Sequence, residues 1–200
     1  MKITDVEAII LRQPEIDDSK ADGSQDALLI RIHTDAGITG VGEVDSLPPV
    51  IKALVEAPPS HAVAGGLRPM LIGEDPLKID RLWEKMYRGT IYCGRRSIAI
   101  HAMSGIDMAL WDIKGKIANM PVYQLLGGKV RKAAWVYVHA SGHDFAQVED
   151  DIQQYLDQGF KYIRAQVAVP GSSTYGVGKA VKGQAPARTD HLSPVQAPWD

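Results

Sequence analysis

The chain has 200 residues, 45% hydrophobic and 23% charged, with 22 Lys and Arg against 24 Asp and Glu for a formal net charge of −2. That balance gives no electrostatic support to a nucleic-acid or anionic-membrane partner, and a lone Cys93 excludes an internal disulfide and suits a reducing compartment. No apolar run reaches the roughly 18 residues of a membrane span, and the opening MKITDVEAIILRQPE lacks a secretory apolar region, so a soluble cytoplasmic protein is expected by elimination.

Residues 2–12 alternate well enough to predict a strand, with Ile3, Val6, Ala8 and Ile10 against polar neighbours. The polar QPEIDDSKADGSQD over 13–26 reads as a loop. ALLIRIHT over 27–34 and the run from Ile38 to Glu43 are two further strands, joined at Asp35-Ala36-Gly37 by a tight turn, which makes a hairpin. The chain thus opens as a three-stranded antiparallel sheet. Helices are expected from Pro48 to about Glu56, over 60–71, and from Asp75-Pro76 onward, where Leu77, Ile79, Leu82, Trp83 and Met86 recur at helical spacing. After a break over 89–96, Ser97 to Ala118 carries the clearest helical period, in Ile98, Ala102, Ile106, Ala109, Leu110, Ile113 and Ile117. Its small residues Ala102, Ser104, Gly105 and Ala109 allow close packing, and Pro121 opens one more turn that Gly127-Gly128 closes.

Past Gly128 the pattern changes. Lys129 to Lys132 is a basic linker, Ala133–Ala140 a β-branched and aromatic strand, Phe145 to Gln158 a helix with Asp144 as N-cap, and Tyr162–Val169 a second strand. Strand, helix and strand in so short a span make a right-handed βαβ unit with parallel strands. Residues 170–198 are rich in Gly, Pro and Ser. A single βαβ unit cannot bury both faces of a parallel sheet; either it adds to something else or the sequence is incomplete, and incompleteness is the expectation.

The order of hairpin sheet, helical bundle and βα repeat resembles the mandelate racemase and muconate lactonizing branch of the enolase superfamily. The sharpest motif runs from Ala102 through Ser104-Gly105-Ile106-Asp107, Ala109-Leu110-Trp111-Asp112 and Gly115-Lys116 to Pro121-Val122 and Leu125-Leu126-Gly127. Gly37 to Glu43 and Leu71-Ile72-Gly73-Glu74-Asp75-Pro76 also match. The resemblance implies an α+β N-terminal capping domain over 1–128, a three-stranded antiparallel sheet plus helical bundle, followed over 129–200 by the first strands of a (β/α)8 TIM-like barrel. It further implies that loops near 14–26 and 44–49 act as a lid that excludes water and selects substrate; unaided, the residues there read as plain surface connections.

In such barrels chemistry sits at the C-terminal strand ends. His139 is expected at the end of the first strand, with Arg164-Ala165-Gln166 late in the second, so that the two stand at one mouth. Racemase-type members carry Lys-x-Lys on the second strand, where this chain has Arg164-x-Gln166. A guanidinium with a pKa above about 12 and an amide are poor bases, which argues against Lys-based racemisation. The pattern resembles instead the D-mannonate dehydratase-like group, in which this Arg works with a Tyr on the following loop, here Tyr175. A neighbouring cation stabilises a phenolate and lowers its pKa from about 10, so the pair could take a proton α to a carboxylate.

The resemblance implies that His139 and Gln166 bind substrate and that Mg²⁺ holds the carboxylate and stabilises the enediolate, with its ligands on strands expected beyond residue 200. Asp190 and Asp200 read as solvated loop residues. The bland readings are a half-buried polar side chain for His139 and ordinary surface or ion-pair roles for Arg164 and Tyr175. Cys93 reads as structural, and Trp83, Trp111 and Trp135 as core. The implied activity is an acid-sugar dehydratase of the D-mannonate or D-gluconate kind, with a small-molecule substrate, no nucleic-acid or membrane partner, and homo-oligomeric assembly. A racemase, epimerase or lactonizing enzyme, and a non-catalytic regulatory or truncated relative, are the alternatives.

Overall fold

The computed structural model describes residues 1–16, 25–45, 47–61, 64–94, 96–142 and 144–167, with the side chains of Gln166 and Val167 excepted. These fall into two compact units, residues 1–130 and 131–167.

The first unit opens with β1 (Ile3–Arg12), β2 (Asp26–Thr34) and β3 (Thr39–Val44), an antiparallel sheet in the order β1-β2-β3. Ile3, Val6, Ala8, Leu28, Ile30, Ile32 and Val44 are buried on one face. The step from Ile3 to Val6 breaks a strict two-residue alternation, and the register shifts between Ile3 and Asp5; the extra residue of a bulge returns the later apolar positions to the core side. Gly37 in the β2–β3 turn sits at φ +72°, the conformation that a glycine adopts without steric cost.

Helix α1 (Pro48–Glu56) follows, then α2 (Leu67–Leu71), α3 (Ile79–Gly89), α4 (Ile98–Ala118) and α5 (Val122–Leu125). Two helix starts differ from the sequence expectation. The helix expected over 60–71 is confined to Leu67–Leu71. Gly65 and Gly66 precede it, and Gly66 N–H donates to Ala57 O at 3.0 Å, so the chain folds back on α1 before it can propagate. Asp75-Pro76 is a turn rather than a first helical step. Asp75 Oδ1 accepts from Leu77 N–H at 3.1 Å and its carbonyl from Lys78 N–H at 3.1 Å, and α3 begins only at Ile79. The adjacent Glu74 ties this turn down: its carboxylate accepts from Lys85 at 2.6 Å, a bond that holds the Glu74 carboxyl below its ordinary range.

Helix α4 is the centre of the unit. Ala102, Met103, Ile106, Ala109, Leu110 and Ile113 are fully buried, with Trp83 and Trp111 packed against the same core; Ile117, grouped with them by period, is 43% exposed. Each of the larger side chains among them, Met103, Ile106, Leu110 and Ile113, contributes roughly 1.5–3 kcal/mol by leaving water. The helix approaches β3 at backbone distance. A Cβ on Gly42 would fall 2.0 Å from Gly105 O, and one on Gly40 2.0 Å from Ala109 O.

The second unit holds β4 (Val138–Gly142), α6 (Phe145–Asp157) and β5 (Ile163–Val167), with β4 and β5 parallel. Asp144 caps α6 as expected, its Oδ1 accepting from Gln147 N–H at 2.9 Å. The first strand is displaced from the expected Ala133–Ala140. Strand propensity at 135–137 does not suffice, because the ladder begins where its partner does, at Val138 opposite Ile163. Trp135, expected in the core, is 68% exposed as a result, with its ring edge-on to Tyr162 and Lys161 over its face. Among the described residues no helix is long and apolar enough to cross a membrane.

Gly42→Ala places a methyl inside α4's backbone, and overpacking of this kind destabilises by about 1–3 kcal/mol; urea denaturation of the chain should show at least that loss. Asp107, on α4, has its carboxyl raised above the ordinary range by burial, with the Asp80 charge adding to it. Its folded form therefore binds the proton more tightly than the unfolded chain does. The ionised group opposes folding fully above its folded pKa, and that penalty fades as pH falls towards the ordinary carboxylate range. Asp107→Asn should raise the melting temperature at pH 7 and lose the advantage near pH 4, measured by thermal melts across that range.

Candidate functional site

Parallel pairing decides which side chains meet in the second unit. His139 and Arg164 are register partners, as are Ser141 and Gln166. Along β4 the side chains alternate. Ala140 is buried, and a Cβ on Gly142 would stand 2.7 Å from Gln147 Cβ and 2.8 Å from Val148 N, so these two residues face α6. His139 and Arg164 rise together from the opposite face, and both are exposed. His139 and Arg164 thus stand level on adjacent strands, whose backbones run about 4.8 Å apart, on the face α6 leaves uncovered.

Their place along the strands differs from expectation. His139 is the second residue of β4, not its last, and Arg164 is the second of β5. For His139 the displacement of β4 is the cause: Ser141 and Gly142 extend the ladder past the point where aromatic and β-branched residues stop. Gln166 keeps its backbone position beside Ser141. Tyr175, His143, Asp190 and Asp200 lie outside the described residues, as does most of the polar loop expected over 13–26.

Two neighbours were not foreseen. The Tyr137 ring lies 5.1 Å, centroid to centroid, from the His139 ring; two-residue alternation puts both on one side, a signal present in the sequence. Asp151 on α6 accepts from Ser141 N–H at 3.0 Å and so secures the end of β4 from the helix side. Nothing in the sequence marks Asp151 apart from the other carboxylates of that helix. Among the described residues no three His, Cys, Asp or Glu side chains converge on a point, so these residues do not supply the oxygen cage a hard cation requires. Cys93 is exposed.

Comparison with known proteins gives this geometry a context. Residues 7–127 match the model of the mandelate racemase / muconate lactonizing enzyme N-terminal domain. A D-mannonate dehydratase of Novosphingobium aromaticivorans is 41% identical over 172 residues, covering 86% of this chain and 40% of that protein. A D-galactonate dehydratase family member of Marinomonas is 38% identical over 172 residues, covering 85% of this chain and 40% of that one. The chain therefore spans 40% of the length of either relative. Among solved structures, an enolase from Pantoea ananatis with bound D-gluconate and Mg superposes with a TM-score of 0.65 at 34% identity, covering 86% of this chain and 37% of that one.

Asp151→Ala removes the acceptor of Ser141 N–H. A hydrogen bond to a carboxylate is worth about 1.5 kcal/mol, so amide exchange at Ser141 should quicken roughly tenfold, whereas Asp151→Asn, which keeps an acceptor oxygen, should largely preserve the protection.

Proposed function

We propose, because the chain belongs to the mandelate racemase/muconate lactonizing enzyme family, that it serves an acid-sugar dehydratase of the D-mannonate or D-gluconate kind, a hydro-lyase. The observation that carries the reading is the pairing of His139 with Arg164 on the uncovered face of the βαβ unit. Relatives named D-mannonate dehydratase at 39–41% identity support it. On this reading the βαβ unit opens a (β/α)8 barrel, and the residues near 14–26 and 44–49 take part in substrate selection.

In the proposed reaction Arg164 stabilises the phenolate of Tyr175, which removes the proton α to the substrate carboxylate. The electron pair left on carbon expels the β-hydroxyl, which leaves as water once it gains a proton. His139, its ring set by Tyr137, binds the substrate or supplies that proton, and Gln166 binds the sugar hydroxyls. Bound Mg²⁺ would stabilise negative charge developing at the carboxylate. The described residues lack a cage for it, its ligands being expected beyond residue 200, and no step is derived through it. Assembly as a homo-oligomer is proposed by analogy with the family.

The test is turnover of an acid-sugar panel with Mg²⁺ by the full-length protein. Dehydration of D-mannonate or D-gluconate is expected, and Tyr175→Phe should lower kcat by at least about 10²-fold, the range of a lost general base. Full activity in Tyr175→Phe would remove Tyr175 from the chemistry; epimerisation without loss of water would overturn the dehydratase reading.

A further inference from the structure

We propose that His101 is a positioning residue: it anchors the backbone at Asp45, at the exit of β3, and through that anchor tunes substrate selection. The second half of this statement rests on the dehydratase reading above; the first half does not.

The backbone flanking Asp45 and Leu47 is buried on both sides. Val44 is buried at the end of β3, where a Cβ on Gly105 would fall 2.2 Å from its Cγ2. Pro48 and Ile51 are buried at the start of α1. Between them, His101 in the first turn of α4 bonds through Nδ1 to the backbone carbonyl of Asp45 at 3.0 Å. A carbonyl oxygen only accepts, so Nδ1 carries the proton, whether the ring is neutral or charged. The bond therefore survives a change in the charge of the ring, and it sets the ring's orientation.

The backbone on either side of this bond is strained. Leu47 has φ 50° and ψ 53° with no side-chain cap. Ser97, just before α4, has φ 50° and ψ −125°, again without a side-chain cap, a conformation dominated by glycine. These are two of the three non-glycine residues with positive φ among the described residues. Such conformations persist only where their surroundings over-determine them, and they gather at functional segments. His101 lies between the two: its N–H makes the ordinary first-turn helical bond to Ser97 O at 3.0 Å, and its ring bonds Asp45 O. Leu47 is meanwhile presented outward, 59% exposed.

Two variants separate this from general packing. His101→Phe keeps the ring bulk and removes the donor, and His101→Asn restores an N–H near the Nδ1 position. Amide exchange of the full 200-residue chain should quicken about tenfold at Val50 and Ile51, whose N–H groups donate to Leu47 O, in His101→Phe, as loss of one hydrogen bond predicts. It should return towards wild type in His101→Asn and leave the α4 interior, Ile106 to Ile113, unchanged. In the full-length protein KM for the acid sugar should rise several-fold in His101→Phe with kcat retained, and recover in His101→Asn. Unchanged exchange in His101→Phe, or no rescue by Asn, overturns the positioning role. Altered exchange with an unchanged KM overturns the link to substrate selection. A wild-type protein that turns over no acid sugar defeats the dehydratase reading, while the exchange data still decide the role of His101.

Discussion

Helix α4 rests on β3 with almost nothing between their backbones, because Gly40 and Gly42 on the strand and Gly105 on the helix leave no side chain in the way. That approach brings the whole buried stripe of α4 down onto the inner sheet face, where it meets Ile30, Ile32 and Val44. Were the helix held off by even a methyl group, the aliphatic side chains would lose their close packing together. The rest of the first unit depends on this contact: α1 and α3 pack against the same helix, and their positions follow from its position.

The same approach explains the charged residues that follow the apolar stripe. β3 is an edge strand with exposed backbone groups. Asp112 accepts from Val41 N–H at 2.9 Å, Lys116 donates to Thr39 O at 2.7 Å, and the two side chains bond each other at 2.7 Å. Spaced one helical turn apart, they bond two of the edge's backbone groups, Val41 N–H and Thr39 C=O, that a neighbouring strand could otherwise take. An exposed ion pair by itself contributes little; here its value lies in the backbone groups it covers.

In the second unit the division of labour is between faces. α6 takes one face of the β4–β5 pair through Ala140 and Gly142, the small residues that let it close. The other face carries His139 and Arg164. Polar side chains can occupy it because packing against α6 makes no demand there, and the register sets them level with each other. Tyr137 against His139 and Asp151 on Ser141 N–H then restrict the strand that presents the imidazole.

Local chemistry was legible wherever it was sufficient. The alternation of β1 to β3, the Asp35–Gly37 turn, the period of α4 and the Asp144 cap are each written in a few adjacent residues, and so was the family motif from Ala102 to Gly127. The amide and guanidinium on β5, in place of a lysine pair, could likewise be read directly. Tertiary structure decided the remainder. The start of β4 depended on where Ile163 begins its partner strand, and Trp135 lost its expected burial with that shift. The five-residue extent of α2 depended on Gly66 folding back to Ala57. The bond from His101 to Asp45 spans 56 positions, and no local pattern announces it. Propensity and period are properties of neighbours along the chain; strand ends, edge caps and the orientation of a histidine are set by which distant backbone groups come within hydrogen-bonding reach, and that is known only once the chain has folded.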